Sequence, residues 1–209
     1  MTYHQRVARE KREQIVAAAT TLFLELGYDR TSLARIAEES GVSRATLFKQ
    51  FPSKAALFDA IVSASWSSAE QAEPPPPGNA AEGLGQLGRQ YAALLSRPQM
   101  TDLFRIVIAE LPRFPELAHA QFTQGKMPSF DSVRTYLRSE HDAGAMHIED
   151  ADLAATQFLG MISNYVFWPR LLVPDWEVSA ERSDEVVEEA VRTTLARYGA
   201  SEQGLPAPQ

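Results

Sequence analysis

The sequence predicts an all-α fold, with a small three-helix N-terminal domain and a larger helical body. Three observations predict it. Apolar residues recur at three- and four-residue spacing through most of the chain, as in Ile15, Ala18, Ala19, Leu22 and Leu26, the period of a helix with one buried face. Two short stretches of this kind meet at a single Gly41, the punctuation of a tight helix-turn-helix. The run Glu73-Pro74-Pro75-Pro76-Pro77-Gly78-Asn79 then interrupts the periodicity. Proline lacks the amide hydrogen a helix needs, so 73–79 reads as a stiff linker. The expected domains are 8–68 and 80–199, with 200–209 as a disordered tail.

Composition narrows the classes. A chain of 209 residues can bury a substantial core. It has no cysteine, which excludes disulfides, thiolate metal sites and a cysteine nucleophile. The N-terminus MTYHQRVAREKREQ is charged, and no window reaches the roughly eighteen apolar residues of a membrane span; no membrane partner and a cytoplasmic location are expected. The net charge of −7 is unevenly placed. Residues 1–60 hold nine Lys/Arg against seven Asp/Glu, a net of +2, and the remainder holds eleven against twenty, a net of −9. A basic head on an acidic body directs phosphate binding to one end.

Taken in order, the first helix is expected over Val7–Leu26. Arg6, Arg9, Lys11 and Arg12 cluster at its start, either as an arm that reaches phosphate or the minor groove or as a solvated helix end. Gly27-Tyr28 closes it. Thr31 or Ser32 can cap the second helix through a hydroxyl, and Leu33, Ile36 and Ala37 give it one apolar face. Gly41 ends it where a left-handed residue is needed. Ser43 caps a third helix that offers Leu47 and Phe48 or Phe51 to the core. Ser53 opens a fourth, to about Glu70, through Leu57, Phe58, Ile61, Val62 and Trp66. Body helices are expected at about 80–96, 99–111, 115–125, 129–144, 150–172 and 179–198. Residues 83–88, GLGQLG, match a dinucleotide-binding spacing, but no strand precedes them and no βαβ unit follows. Close helix packing accounts for the glycines better.

The third helix is unusually polar for its length. Ser43, Arg44, Thr46, Lys49 and Gln50 suit base-edge recognition: Arg bridges guanine O6 and N7, Gln reads adenine, and Thr can donate to an edge or touch a thymine methyl. Thr31 and Ser32 at one helix start, and Ser53 and Lys54 at another, suit phosphate contacts. Together these imply a double-stranded DNA operator as partner.

Residues 12–58 resemble the N-terminal domain of the TetR family of bacterial transcriptional regulators, through Arg12, Ile15, Ala18, Ala19, Leu22, Phe23, Gly27, Tyr28, Thr31, Ser32, Ile36, Ala37, Gly41, Val42, Ser43, Thr46, Leu47, Phe51, Ser53, Lys54 and Leu57. The segment LFRIVIAELPRFPELAHAQF resembles the C-terminal domain of the AefR-like subgroup. The resemblance implies a homodimeric, ligand-responsive repressor whose fourth helix carries the signal from body to head. It implies DNA contacts by Thr31, Ser32, Ser43, Arg44, Ala45, Thr46, Phe48, Lys49, Gln50 and Lys54. Phe48 stands where the family usually has Tyr, so a phosphate hydrogen bond is missing, and Gln50 stands where His is common.

The segment 151–173 is apolar almost all round and is therefore either central or laid against a partner. The resemblance implies the second, with the last two long helices forming a dimer interface through Leu159, Ile162, Val166, Val187, Val191 and Leu195. An apolar or aromatic effector is expected among Phe104, Ile108, Phe122, Met127, Phe130, Tyr136, Phe158, Met161, Tyr165 and Trp168, with Gln157 and Asn164 as orienting polar groups; plain core is the alternative for each. No histidine pair has ligand spacing and no serine sits in a nucleophile elbow, so no cofactor, metal or catalytic site is expected. The rivals are a regulator without a small effector and, from another class, a helical carrier or enzyme with an idle DNA-binding head.

Overall fold

The computed structural model describes residues 2–66, 75–173 and 175–200, apart from the His4 side chain. Residues 73 and 74 of the linker, the expected end of the fourth helix beyond residue 66 and most of the tail lie outside these. The helices are α1 (Tyr3–Leu26), α2 (Leu33–Glu39), α3 (Arg44–Gln50), α4 (Lys54–Trp66), α5 (Ala80–Leu95), α6 (Pro98–Glu110), α7 (Pro115–Ala120), a π-helix (Gln121–Lys126), α8 (Met127–Asp142), α9 (Ala151–Val166), α10 (Trp168–Leu172) and α11 (Ala180–Tyr198). Among the described residues there is no strand, only a bridge between Met146 and Gly199. No described helix is long and apolar enough to cross a membrane.

Three boundaries differ from expectation, each for a local reason. Helix α1 begins at Tyr3 because the Thr2 side chain accepts from the Gln5 amide while Gln5 reaches back to the Thr2 amide, a reciprocal cap. The basic cluster therefore lies within a helix. The long apolar stretch breaks at Phe167, because Pro169 takes an opening position of α10, where a missing amide hydrogen costs nothing. The helix from 115 widens into a π-turn and runs into α8 without a stop.

The chain divides into two compact units, one of residues 1–69 with Pro98–Met127, the other of 70–97 with Pro128–Gln209. The first unit thus takes in helices from beyond the linker, because α4 is covered by α1 on one side and by α6, α7 and the π-helix on others. Phe23, Tyr28 and Phe58 meet at its centre with ring centroids 5.1–6.2 Å apart, and Phe114 stacks on Tyr28 edge-on at 5.0 Å. In the second unit, α5, α9 and α11 pack together. A Cβ on Gly88 of α5 would stand 2.7 Å from Val187 and 3.1 Å from Phe158, so the glycines of 83–88 do serve close packing.

That core corrects the expected dimer surface. Leu159, Ile162, Val166, Val187 and Val191 are buried within the chain's own second unit, and Leu195 is half-buried. The glycine-rich face of α5 covers the faces of α9 and α11 that sequence alone leaves unassigned, so these residues have little area left for a partner. What α9 and the following segment expose is different: Leu153, Trp168, Leu172, Val173 and Trp176.

Candidate nucleic-acid interface

Helix α2 starts at Ser32, whose hydroxyl accepts from the Arg35 amide at 3.2 Å, and Gly41 turns the chain at φ +66°. Ser43 caps α3 by accepting from the Thr46 amide at 3.1 Å, and the two hydroxyls lie 2.9 Å apart. Leu47 is fully buried and anchors α3, an interaction worth roughly 1.5–3 kcal/mol. The helical period then fixes the rest. Ala45, Phe48 and Lys49 are exposed on the sides turned away from Leu47, Arg44 is exposed where it opens the helix one turn before Leu47, and Thr46 and Gln50 are half-buried.

The end of α3 is held by a residue whose part the sequence did not reveal. Arg12 of α1 donates to the Gln50 carbonyl at 3.2 Å and lies over the Phe51 ring at 4.2 Å. It therefore fixes the angle of α3 rather than reaching freely toward DNA. Helix α2 and the start of α3 flank a polar surface cleft lined by Ser32, Arg35, Glu38, Glu39 and Arg44. Its two arginines make the cleft receptive to phosphate, while Glu38 and Glu39 discourage non-specific coating.

Two expected phosphate contacts are corrected. Thr31 is buried, its hydroxyl 2.9 Å from the Gly27 carbonyl and 3.2 Å from that of Leu22; it closes the α1–α2 turn, and Ser32 alone is the cap. The Lys54 ammonium donates to the carbonyls of Thr31 at 2.8 Å and Asp29 at 3.2 Å and sits over the Tyr28 ring at 4.3 Å. Desolvation lowers its pKa, against the opposing pull of Asp29 and Glu110. Glu110 also accepts from the Asp29 amide at 3.2 Å, and Arg113 pairs with the Asp29 carboxylate at 2.7 Å. Lys54 thus ties α4 to the turn that presents α2. Lys54→Met keeps the stem and removes both hydrogen bonds, and should cost about 1–3 kcal/mol of stability, read as a lower urea midpoint. An unchanged midpoint with weaker DNA binding would instead make Lys54 a direct phosphate contact.

The effector residues expected from sequence fall in both units. Phe104, Ile108, Phe122 and Met127 belong to the first unit, the others to the second. Ile108, Phe122 and Trp168 are about half-exposed, whereas Phe158 is fully buried core. Tyr136 is buried and donates its hydroxyl to Glu140. Phe130 is half-buried beside Arg134. Gln157 accepts from the Tyr198 hydroxyl at 2.8 Å. Met161, Asn164 and Tyr165 line a shallow groove with Arg182 of α11. Among the described residues no acidic or histidine cluster could hold a metal.

Residues 15–61 match the family described as bacterial regulatory proteins, tetR family, and residues 82–200, more than half of the chain, match the AefR-like transcriptional repressor C-terminal domain. The chain belongs to the TetR family of transcriptional regulators. Two curated relatives match over about a quarter of the chain. The nucleoid occlusion factor SlmA of Mannheimia succiniciproducens is 41% identical over 59 residues, 28% of this chain and 27% of that protein. The regulator TtgR of Pseudomonas putida is 44% identical over 55 residues, 26% of each. The chain thus matches about a quarter of the length of these relatives. Among solved structures, the flavonoid-responsive regulator FrrA superposes with a TM-score of 0.77 at 28% identity, covering 92% of this chain and 98% of FrrA. A TetR-family regulator from Mesorhizobium loti gives 0.75 at 25% identity, covering 95% of this chain and all of that one.

Proposed function

We propose that this TetR-family regulator is a ligand-responsive repressor that binds a palindromic operator as a homodimer. The supporting observation is α3, where Arg44 and Lys49 are exposed and, among the described residues, unpaired, while Leu47 and Arg12 hold the helix in place. Arg44 is the base-reading group, Lys49 a backbone contact, and Phe48 offers its ring to a thymine methyl or sugar. Two copies place their recognition helices about one DNA turn, roughly 34 Å, apart. The exposed apolar residues Leu153, Trp168, Leu172 and Trp176 support pairing through α9 and the segment after it. The flavonoid response named for FrrA supports an aromatic effector for this chain. Binding it would tilt α4, so that each ligand favours a different state of one two-state element.

Fluorescence anisotropy with DNA from upstream of its own gene tests the reading at two salt concentrations. Affinity should fall steeply with salt, and Arg44→Ala should cost about 1–3 kcal/mol while relaxing specificity at one base position. Equal, weak binding by wild type and Arg44→Ala, on this DNA and after selection from random sequence, would sink it.

A further inference from the structure

Residues 110–115, ELPRFP, lie inside the stretch that matches the AefR-like C-terminal domain, yet they fold into the first unit with α1–α4. Glu110 organises them. Its carbonyl accepts from the Arg113 amide at 3.0 Å and the Phe114 amide at 2.9 Å, which closes the turn between α6 and α7. Pro112 and Pro115 fix their own φ and stiffen that turn. The half-buried Glu110 side chain reaches the turn between α1 and α2, where it accepts from the Asp29 amide at 3.2 Å. Arg113 pairs with the Asp29 carboxylate at 2.7 Å, and the Phe114 ring meets Tyr28 edge-on. The other anchors of the α1–α2 turn, Thr31 and Lys54, engage carbonyls. The amide and carboxylate of Asp29 are left to Glu110 and Arg113. Three residues on, Ser32 caps α2, which packs on α3.

We propose that Glu110 and Arg113 are positioning residues for DNA binding. They fix the α1–α2 turn, and through it the Ser32 cap and the angle at which α2 presents α3. The inference rests on the DNA-binding reading of α3 and calls on no effector. Glu110 carries most of the effect, because a carboxylate bonded to a backbone amide outweighs an ion pair whose arginine side chain is 64% exposed. The role differs from a direct phosphate contact in a measurable way. Removing Arg113 or removing the Asp29 carboxylate breaks the same pair while changing the local charge in opposite directions. Electrostatics alone strengthens DNA binding when a carboxylate is lost and weakens it when a guanidinium is lost. Positioning weakens it in both cases.

The test is fluorescence anisotropy of the full-length protein on DNA that the wild type selects from random sequence, over a series of salt concentrations. Glu110→Ala should weaken binding tenfold, about 1.4 kcal/mol. Glu110→Gln, whose amide oxygen can still accept from Asp29, should recover most of that loss. Arg113→Gln and Asp29→Ala should each weaken binding about threefold, with the salt slope of the wild type. A direct phosphate contact by Arg113 would instead lower that slope by about one. Asp29 and Arg113 are exposed, so their variants carry the test if Glu110→Ala does not fold. Wild-type affinity in Glu110→Ala, tighter binding by Asp29→Ala, or a shallower slope for Arg113→Gln would each overturn the inference and leave the reading of α3 intact. A wild type that selects no DNA would overturn both.

Discussion

Raising the pH from 10 toward 12 should destabilise the fold steeply. Three tyrosines are almost fully buried: Tyr28 and Tyr136 at 2% exposure and Tyr91 at 8%. Burial, reinforced by Glu116, Asp59 and Glu110, pushes Tyr28 from 10.0 up to about 12. Burial pushes Tyr91 to about 12 as well. Tyr136 is pushed higher by burial and by the Glu140 carboxylate to which it donates. All three are acids that hold their protons longer in the folded state. Above pH 10 the unfolded chain has therefore lost protons that the native chain keeps, and stability falls with pH. Each such group contributes about 1.4 kcal/mol per pH unit, so the three together contribute roughly 4 kcal/mol per unit. Lys54 acts in the opposite sense: its lowered pKa means the unfolded state binds more protons until the ordinary value near 10.5 is passed, which delays the steepest loss. Over the two pH units to pH 12 the loss is roughly 7–8 kcal/mol, a large share of a total stability of about 5–15 kcal/mol, so the urea midpoint should fall steeply across this window. Urea midpoints at neutral pH, pH 10 and pH 11, beside the tyrosinate absorbance, give the answer. Full tyrosine ionisation near pH 10 in a chain whose circular dichroism stays native would refute the assignment.

How much of this was legible in the sequence depends on the range of the interaction. Caps and turns were readable because their partners lie within four residues: Ser32 and Ser43 accept from amides three positions on, and Gly27 and Gly41 take positive φ. Part of the recognition arc was readable for the same reason: Leu47 turns Ala45 and Lys49 outward by the helical period, and Arg44 is exposed because it opens the helix. Thr31 and Lys54 were misjudged because a polar residue at a helix start can turn either to solvent or to a carbonyl from another turn, and Lys54 finds its carbonyls 23 and 25 residues away. The all-apolar α9 announced burial but not by what. The covering surface is α5, whose Gly88 makes sense only beside Val187 and Phe158. The π-turn at Gln121 had no local signal beyond Gly125.

Gly83→Ala should be among the most damaging single-methyl additions to this chain. In an isolated helix it would gain up to about 1 kcal/mol, so any loss must come from packing. A Cβ at Gly83 would collide with the hydroxyl and ring of Tyr136. That ring cannot swing aside cheaply. Its hydroxyl donates to the fully buried Glu140 and lies 3.2 Å from the Asn79 carbonyl, while the other Glu140 oxygen accepts from the Gly78 amide at 3.0 Å. Moving Tyr136 therefore strips Glu140 of a partner and loosens the seat of the linker's last residues, 78 and 79, at the start of α5. Overpacking costs about 1–3 kcal/mol, and a disrupted hydrogen bond to a buried carboxylate a further 1.5–3 kcal/mol, so a net loss of roughly 2–4 kcal/mol is expected once the gain in helix propensity is subtracted. Chemical denaturation of a double-mutant cycle isolates the cause. With Tyr136→Leu already in place the collision is relieved, and Gly83→Ala should become neutral or stabilising. A full penalty that persists without the tyrosine would mean that Gly83 is needed for the backbone of α5 itself, and that the Tyr136–Glu140 contact is not what holds the linker to this unit.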